Sequence, residues 1–568
     1  MRHLWQAMVR RALPLAMAHI ERRERAPLLA AAADPEAAQL RLLFGILRAN
    51  AETEFGRRHG FADITDWPSF RAAVPVQTHE SLMPLIDRQA ATGGAVLTAD
   101  PPLWYARTSG TTGPPKDIPV TRQTAALNRS AQRQTALTLA RQTRFFDGEI
   151  LAFSGPAVEG RRDDGAAYGS ATGHAYAKTS PLIRSLFVLP QAVYAIPDYD
   201  LKYYVAALLG LGARRLTGLV AANPSTLLKL IETVETHRRD LRADLGGGPA
   251  TFLDRLDPDL RAAVARRLRA ATPPSDRLRR LLAGDAPIRL ADLWPDLGAV
   301  LTWTGGSCGI AVEALRPHLP ADCRVVEVGY RASEATATVS IDADEAGCLP
   351  MLRHVVFEFV ERDAWERGAP AFRTLGQLET GRQYYVFVTT AAGLYRYDMN
   401  DVVEVAGWTG RTPMLAFVRK GRGVTNITGE KLSEPDVIAA VSRALSDIGR
   451  HAPFFVALAD ARARRYDLLL EPDAALGPGQ IRQLAGAVEA GLRRRNIEYD
   501  AKRASGRLEP LRLLPLGPGA GEHCKRAALQ RGQREAQYKP VCLADRADWP
   551  VDLTAYIATE HRQCVTAS

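Results

Sequence analysis

The stretch TSGTTGPPK (108–116) sets hydroxyls and two glycines ahead of a rigid Pro-Pro and a lysine. Hydroxyls and glycine amides in a tight loop can surround phosphate oxygens, and a lysine adds a point charge. Ser109, Gly110, Thr111, Thr112, Gly113 and Lys116 supply those groups. Lys116 is one of only nine lysines in a chain whose positive charge is otherwise arginine. The loop is not a Walker-type phosphate loop, which closes on Gly-Lys-Ser/Thr where Pro115-Lys116-Asp117 stands here. A plain surface turn is the competing reading.

TGGSCG (304–309) presents a fork. Gly305-Gly306-Ser307-Cys308-Gly309 fits GxSxG between a strand-like run and a helical one, which is the setting of a nucleophile elbow. Ser307 would then be the nucleophile of an α/β-hydrolase, with His354, His451, His523 and His561 available as partners. The other branch is a glycine turn whose backbone lies flat against a purine ring. In GYRASEA (329–335), Glu334 after Ser333 can cap a helix or, beside a phosphate loop, ligate magnesium. Asp401 in LYRYDMNDVV can cap a turn or grip two ribose hydroxyls. Lys539 in EAQYKPV, one of three lysines after 431, reads by itself as a solvated surface residue.

The elements that must position these groups alternate between helix and strand. Residues 1 to about 95 are expected to be helical, as Ala/Leu/Arg stretches separated by turns, and 201–285 mostly helical, from apolar spacing of three and four. Strands are expected at 298–304, 323–330, 354–360, 384–390 and 401–408, where β-branched and aromatic residues lie between Gly or Asp turns. AAGLYRYDMND, ahead of the last of these, reads as a turn, a short strand and a turn. KGRG (420–423) frees the backbone as a hinge would. Beyond it, a helix (SEPDVIAAVSRAL), a strand (YDLLLEP) and a further helix suffice for a small domain. The expected fold is α/β: a large N-terminal α/β domain (1–420) with helices flanking β-sheets, and a small C-terminal α+β domain (421–568) joined by the hinge.

The 568 residues are 46% apolar and 24% charged, as in ordinary soluble proteins, with a formal charge of +10. The arginines are dispersed and share helices with Asp and Glu, so a nucleic-acid partner is not expected. The six cysteines (Cys308, Cys323, Cys348, Cys524, Cys542, Cys564) show no CxxC, which points to free thiols in a reducing cytoplasm rather than disulfides or zinc. No apolar run approaches a membrane span, so no membrane partner is expected either.

Taken together, these positions resemble the adenylate-forming superfamily of acyl-CoA synthetases, luciferases and peptide-synthetase adenylation domains. A closer similarity is to the auxin-responsive acyl acid amido synthetases. It is carried by NAETEFGRRHGFADITDWPSFRAAVPVQTHESLMPLIDR (50–88), LGQLETGRQYYVFVTTAAGLYRYDMNDVVEVAGW (375–408), FVRKGRGVTNITGEK (417–431) and QYKPVCL (537–543). The resemblance implies ATP and Mg2+ as cofactors, and a carboxylic acid and an amine, most often an amino acid's, as partners. A monomer is adequate. It implies that Ser109, Gly110, Thr111, Thr112, Gly113 and Lys116 hold the ATP phosphates. Gly305, Gly306 and Ser307 would lie along the adenine with Tyr330 stacked nearby and Ser333 also at the nucleotide. Glu334 would bind Mg2+, Asp401 the ribose, and Lys420 would lie near the sugar. Gly421, Arg422 and Gly423 would form the hinge, and Lys539 would reach the phosphate and carboxylate during adenylation, making Lys539 and Lys116 the catalytic pair. Coenzyme A or a carrier protein as acceptor, the Ser307 hydrolase, and a nucleotide-binding protein without turnover are the other readings. The phosphate loop matches the superfamily at large, whereas the plant enzymes' loop is richer in serine and lacks Pro-Pro. The 150–200 segment that should line the acyl pocket does not match the plant hormone enzymes.

Overall fold

The computed structural model describes residues 2–108, 116–246, 254–269, 273–306, 308–345, 347–421, 423–530 and 541–557. They form two compact units: residues up to Val418 make nearly all of the first, and residues from Arg419 onward make nearly all of the second.

The first unit opens with helices Arg2–Ile20, Ala26–Ala33 and Pro35–Ala49. Their boundaries follow from capping chemistry. Asp34 accepts the Ala37 N–H ahead of Pro35, and Thr78 and Ser81 form a reciprocal box at the start of helix His79–Thr92, which Gly93 ends in a left-handed turn. Strand Pro102–Thr108 pairs antiparallel with Lys116–Thr121, and Thr108 lies opposite Lys116, so this last pair brackets the phosphate-loop segment.

Behind it stands a parallel sheet in the order Glu149–Ala152, Leu216–Val220, Ala299–Thr302, Arg324–Glu327. Leu216–Val220 is a strand within 201–285, a segment expected to be mostly helical and otherwise largely so. LTGLV is short and covered on both faces, so it carries no alternation to betray it. Its Gly218 admits no side chain, since a Cβ there would approach the Phe145 ring to 2.7 Å.

A five-stranded sheet completes the unit in the order Phe372–Arg373, Val355–Glu361, Gln383–Thr390, Tyr397–Thr409, Thr412–Lys420. Tyr397–Thr409 is one continuous strand, not the expected turn, short strand and turn. What the sequence shows as a turn is a bulge: Tyr385 pairs with Val402 and Phe387 with Asp398, so Val386 alone opposes Met399, Asn400 and Asp401. Asn400 takes a left-handed conformation there (φ 47°). Bulges of this kind re-aim side chains beside functional sites.

In the second unit the strand order is Arg512–Pro515, Arg465–Glu471, Phe454–Asp460, Leu543–Asp545. Helices Glu434–Asp447 and Pro478–Arg495 bury Val437, Val441, Leu484 and Val488 in the core that Leu468 and Leu470 share. Among the described residues no helix is long and apolar enough to cross a membrane, and Cys308, Cys323, Cys348, Cys524 and Cys542 are free thiols.

Candidate active site

The four parallel strands end on one side, where ligands bind in open α/β sheets. Strand Ala299–Thr302 runs into the glycine turn and then into helix Cys308–Leu315. A Cβ on Gly305 would collide with the Phe417 carbonyl oxygen, and one on Gly306 (φ 59°) would lie 2.7 Å from that of Val418. Both glycines are therefore required for the turn to lie flat against the end of strand Thr412–Lys420. Ser307 lies outside the described residues, so the hydrolase geometry is not drawn from it.

Glu327, at the end of the neighbouring strand, holds this turn. Its carboxylate accepts the Thr304 N–H (2.6 Å), the Thr304 hydroxyl (2.5 Å) and the Gly329 N–H (2.8 Å). Burial raises its pKa, and those bonds offset part of the rise. Glu327 was not singled out in the sequence. The signal was available, because an acid inside the β-branched run CRVVEVGY must find buried donors.

Tyr330 follows directly. Its hydroxyl donates to Asp401 Oδ2 at 2.6 Å, and its ring lies 5.9 Å from that of Phe417. Burial, then the Asp401 carboxylate, push the Tyr330 phenol well above its ordinary value, so it stays a hydrogen-bond donor. Ser333 and Glu334 sit half-buried at the tip of a turn closed by the Arg331–Thr336 bridge. Tyr397 is buried and its phenol is likewise raised, first by burial and then by Glu334, Glu80, Asp398 and Asp401. Lys116 and Glu334 both lie within electrostatic reach of buried His79. Glu334 and Asp401 thus both act on Tyr330 and on Tyr397, while Lys116 and Glu334 both act on His79; sequence reasoning named neither His79 nor Tyr397.

Residues 71–76, shortly before His79, are tied by charge to the start of strand Tyr397–Thr409. Arg396 (φ 45°) donates to Glu358 at 2.8 Å and to the Val74 carbonyl at 2.8 Å, while Arg71 reaches the other oxygen of Glu358 at 2.8 Å. Acidic and basic residues in apolar strands were the signal here too.

Lys420 ends strand Thr412–Lys420. Gly421 and Gly423 (φ 71°) follow, and the Gly423 carbonyl accepts the Glu434 N–H at 2.8 Å. Ser109, Gly110, Thr111, Thr112, Gly113, Arg422 and Lys539 lie outside the described residues. Among the described residues no group of three or more His, Cys, Asp or Glu side chains could hold a metal by itself. Glu334 would bring one carboxylate to a metal there. That suits Mg2+, which takes one or two carboxylates and completes its shell with waters and substrate phosphates.

Comparison with known proteins places the chain in a family. The chain matches the GH3 family N-terminal domain over residues 25–323, the central domain over 348–420 and the C-terminal domain over 435–548. It is 30% identical over 446 residues to a probable indole-3-acetic acid-amido synthetase of Oryza sativa subsp. japonica, covering 70% of this chain and 71% of the relative. It is 25% identical over 420 residues to a jasmonoyl–L-amino acid synthetase of Nicotiana attenuata, covering 71% and 72%. Its fold is shared with the GH3.15 acyl acid amido synthetase (TM-score 0.63, 23% identity, 94% and 96% of the two chains). It is also shared with a 2-hydroxyisobutyryl-CoA ligase (TM-score 0.51, 13% identity, 94% and 93%). With a family domain spanning more than half its length, the chain belongs to the GH3 family.

Proposed function

We propose that this protein is an ATP-dependent ligase that joins a carboxylic acid to the amine of an amino acid. A carboxylate is a poor electrophile. Its oxygen therefore first attacks the α-phosphorus of ATP, displacing pyrophosphate and giving an acyl-adenylate. The amine nitrogen then attacks the acyl carbon, the carbon–oxygen bond to AMP breaks, and the amide leaves with a proton released.

The observation that carries this reading is the buried Tyr330–Asp401 hydrogen bond, with Glu334 also acting on Tyr330, within a GH3 chain. Asp401 would take the ribose hydroxyls, and the flat turn at Gly305 and Gly306 the adenine. Ser109, Gly110, Thr111, Thr112, Gly113 and Lys116 would hold the phosphates, with Ser307, Ser333 and Lys420 at the nucleotide. This is catalysis by orientation and fixed charge. Glu334 would hold Mg2+, which supplies positive charge against the triphosphate when bound. We assign Lys539 to the adenylation step on the domain after residue 420. Rotation about residues 421–423 would withdraw it before the amine enters. The free cysteines support a reducing cytoplasm, and the protein is taken to act as a monomer.

The test is product identity. The protein is given ATP, Mg2+, a panel of aryl, indolyl and fatty acids, and either pooled amino acids or coenzyme A. Amides found by mass spectrometry only with amino acids support the reading. Thioesters alone would move the protein to the acyl-CoA ligases.

A further inference from the structure

We propose that Asn128 is a positioning residue for Glu334: helix Arg122–Gln142 pins both feet of the turn that carries this carboxylate, and Asn128 holds one of them. This rests on the ligase reading above, in which Glu334 would hold Mg2+.

The turn itself is local. The Arg331–Thr336 bridge closes it, and within it the Ala332 N–H donates to the Ala335 carbonyl at 2.9 Å. Its place in the fold is set by residues far earlier in the chain. The Thr336 hydroxyl donates to Asn128 Oδ1 at 2.9 Å, and Arg331 Nη2 donates to the Thr135 hydroxyl at 2.7 Å. The two residues that close the turn are thus bonded to one helix. Further along, the Thr138 hydroxyl donates to the Ser340 carbonyl at 2.9 Å, and Gln142 Oε1 accepts the Ala343 N–H at 2.6 Å. Positions 128, 135, 138 and 142 share one face of the helix, because their spacing follows its turns.

A helix face turned inward is ordinarily apolar, and Asn and Thr are weak helix formers. Such a polar stripe needs a reason. Thr138 and Gln142 have a plain one, since each satisfies a backbone group of the segment it meets. Asn128 and Thr135 meet the side chains at the two feet of the turn, so what they supply there is position. The helix also begins at Thr121, the last residue of the strand that Lys116 opens, where Thr121 and Thr124 form a reciprocal cap. Strand and helix are one stretch of chain, and the Glu334 turn hangs on it. Partners that orient a metal's ligand govern how tightly the metal is held.

The experiment reads binding in the full chain with no acid present, so that nothing turns over. Binding of Mn2+–ATP is followed by the water-proton relaxation that bound Mn2+ enhances. Binding of AMP, which requires no metal, is measured beside it by calorimetry. Asn128→Ala and Thr336→Val break the same bond from its two sides, so each judges the proposal should the other fail to fold. Either should weaken Mn2+–ATP about tenfold and leave AMP within about twofold. Thr336→Ser, which keeps the hydroxyl, should stay near wild type. Glu334→Gln should itself weaken Mn2+–ATP, and Asn128→Ala added to it should cost nothing more, because Asn128 acts through Glu334. Unchanged Mn2+–ATP binding overturns the proposal, as does an equal loss for AMP or a loss that persists beside Glu334→Gln. Acid-dependent exchange of labelled pyrophosphate into ATP by wild type is the separate check. Its absence sinks the ligase reading, while the Mn2+–ATP titrations still judge Asn128.

Discussion

Asp401 in the first unit and Asp467 in the second are both buried aspartates on β-strands, and they meet different partners. Asp467 is 0% exposed and gathers three guanidinium groups. Arg512 forks onto both of its oxygens (2.8 and 2.6 Å), Arg465 reaches it at 3.2 Å, and Arg546 adds a third. These arginines tie strand Arg465–Glu471 to Arg512–Pro515 and to the residues after Leu543–Asp545. The charge is neutralised within the chain, so Asp467 holds the fold together.

Asp401 is 1% exposed and meets the hydroxyl of Tyr330, with the carboxylates of Glu334 and Asp398 close to the same phenol. Such an arrangement suits a site whose ligand brings hydroxyls and cations. The partners of a buried acid, and not its burial, separate framework from site.

Substitution of the four buried or half-buried acids tests that distinction. Asp467→Asn leaves the guanidiniums facing one another and should cost about 4 kcal/mol, read as earlier unfolding of the second unit by denaturant. Asp401→Asn should leave the unfolding midpoint within a few degrees, yet lower kcat/KM for ATP about 100-fold, near 2.7 kcal/mol. A large loss of stability in Asp401→Asn, with activity kept, would erase the contrast. Glu327→Gln is intermediate, because Glu327 is satisfied like Asp467 but holds the adenine turn. Its KM for ATP should rise about tenfold with kcat little changed, since one acceptor for Thr304 or Gly329 is lost.

The smallest effect belongs to Asp545. Burial, then Asp548, raise its pKa to about 6, while Arg419 opposes the rise. The folded state binds this proton more tightly than the unfolded chain. Its contribution is therefore full below the ordinary Asp pKa and is lost as pH rises through about 6. Wild type should lose about 1 kcal/mol from this group between pH 5 and 7, and Asp545→Asn should remove that slope from unfolding midpoints.

How much of this was legible in the sequence follows from how local each signal is. TSGTTGPPK, YRASE and LYRYDMND set chemically active residues among glycines and turns, so Lys116, Tyr330, Glu334 and Asp401 could be named from short stretches. The strands at 299–302, 324–327, 355–361 and 383–390 were marked by β-branched runs. Leu216–Val220 was hidden because a strand covered on both faces shows no period. The bulge at 399–401 was hidden because register is set by the partner strand and not by the residues in it. Glu327 and Gln77 owe their places to contacts that chain separation conceals: Glu327 to Thr304, and Gln77 to Arg396.

The central claim is that the cluster of Lys116, Tyr330, Glu334 and Asp401 serves adenylation of a carboxylic acid. It is tested most directly by pyrophosphate release from ATP and Mg2+, with no acceptor present, across the acid panel. Release that depends on one class of acid, and that Asp401→Asn suppresses, is the predicted result. No release with any acid from a folded preparation, or release indifferent to the acid, would contradict it.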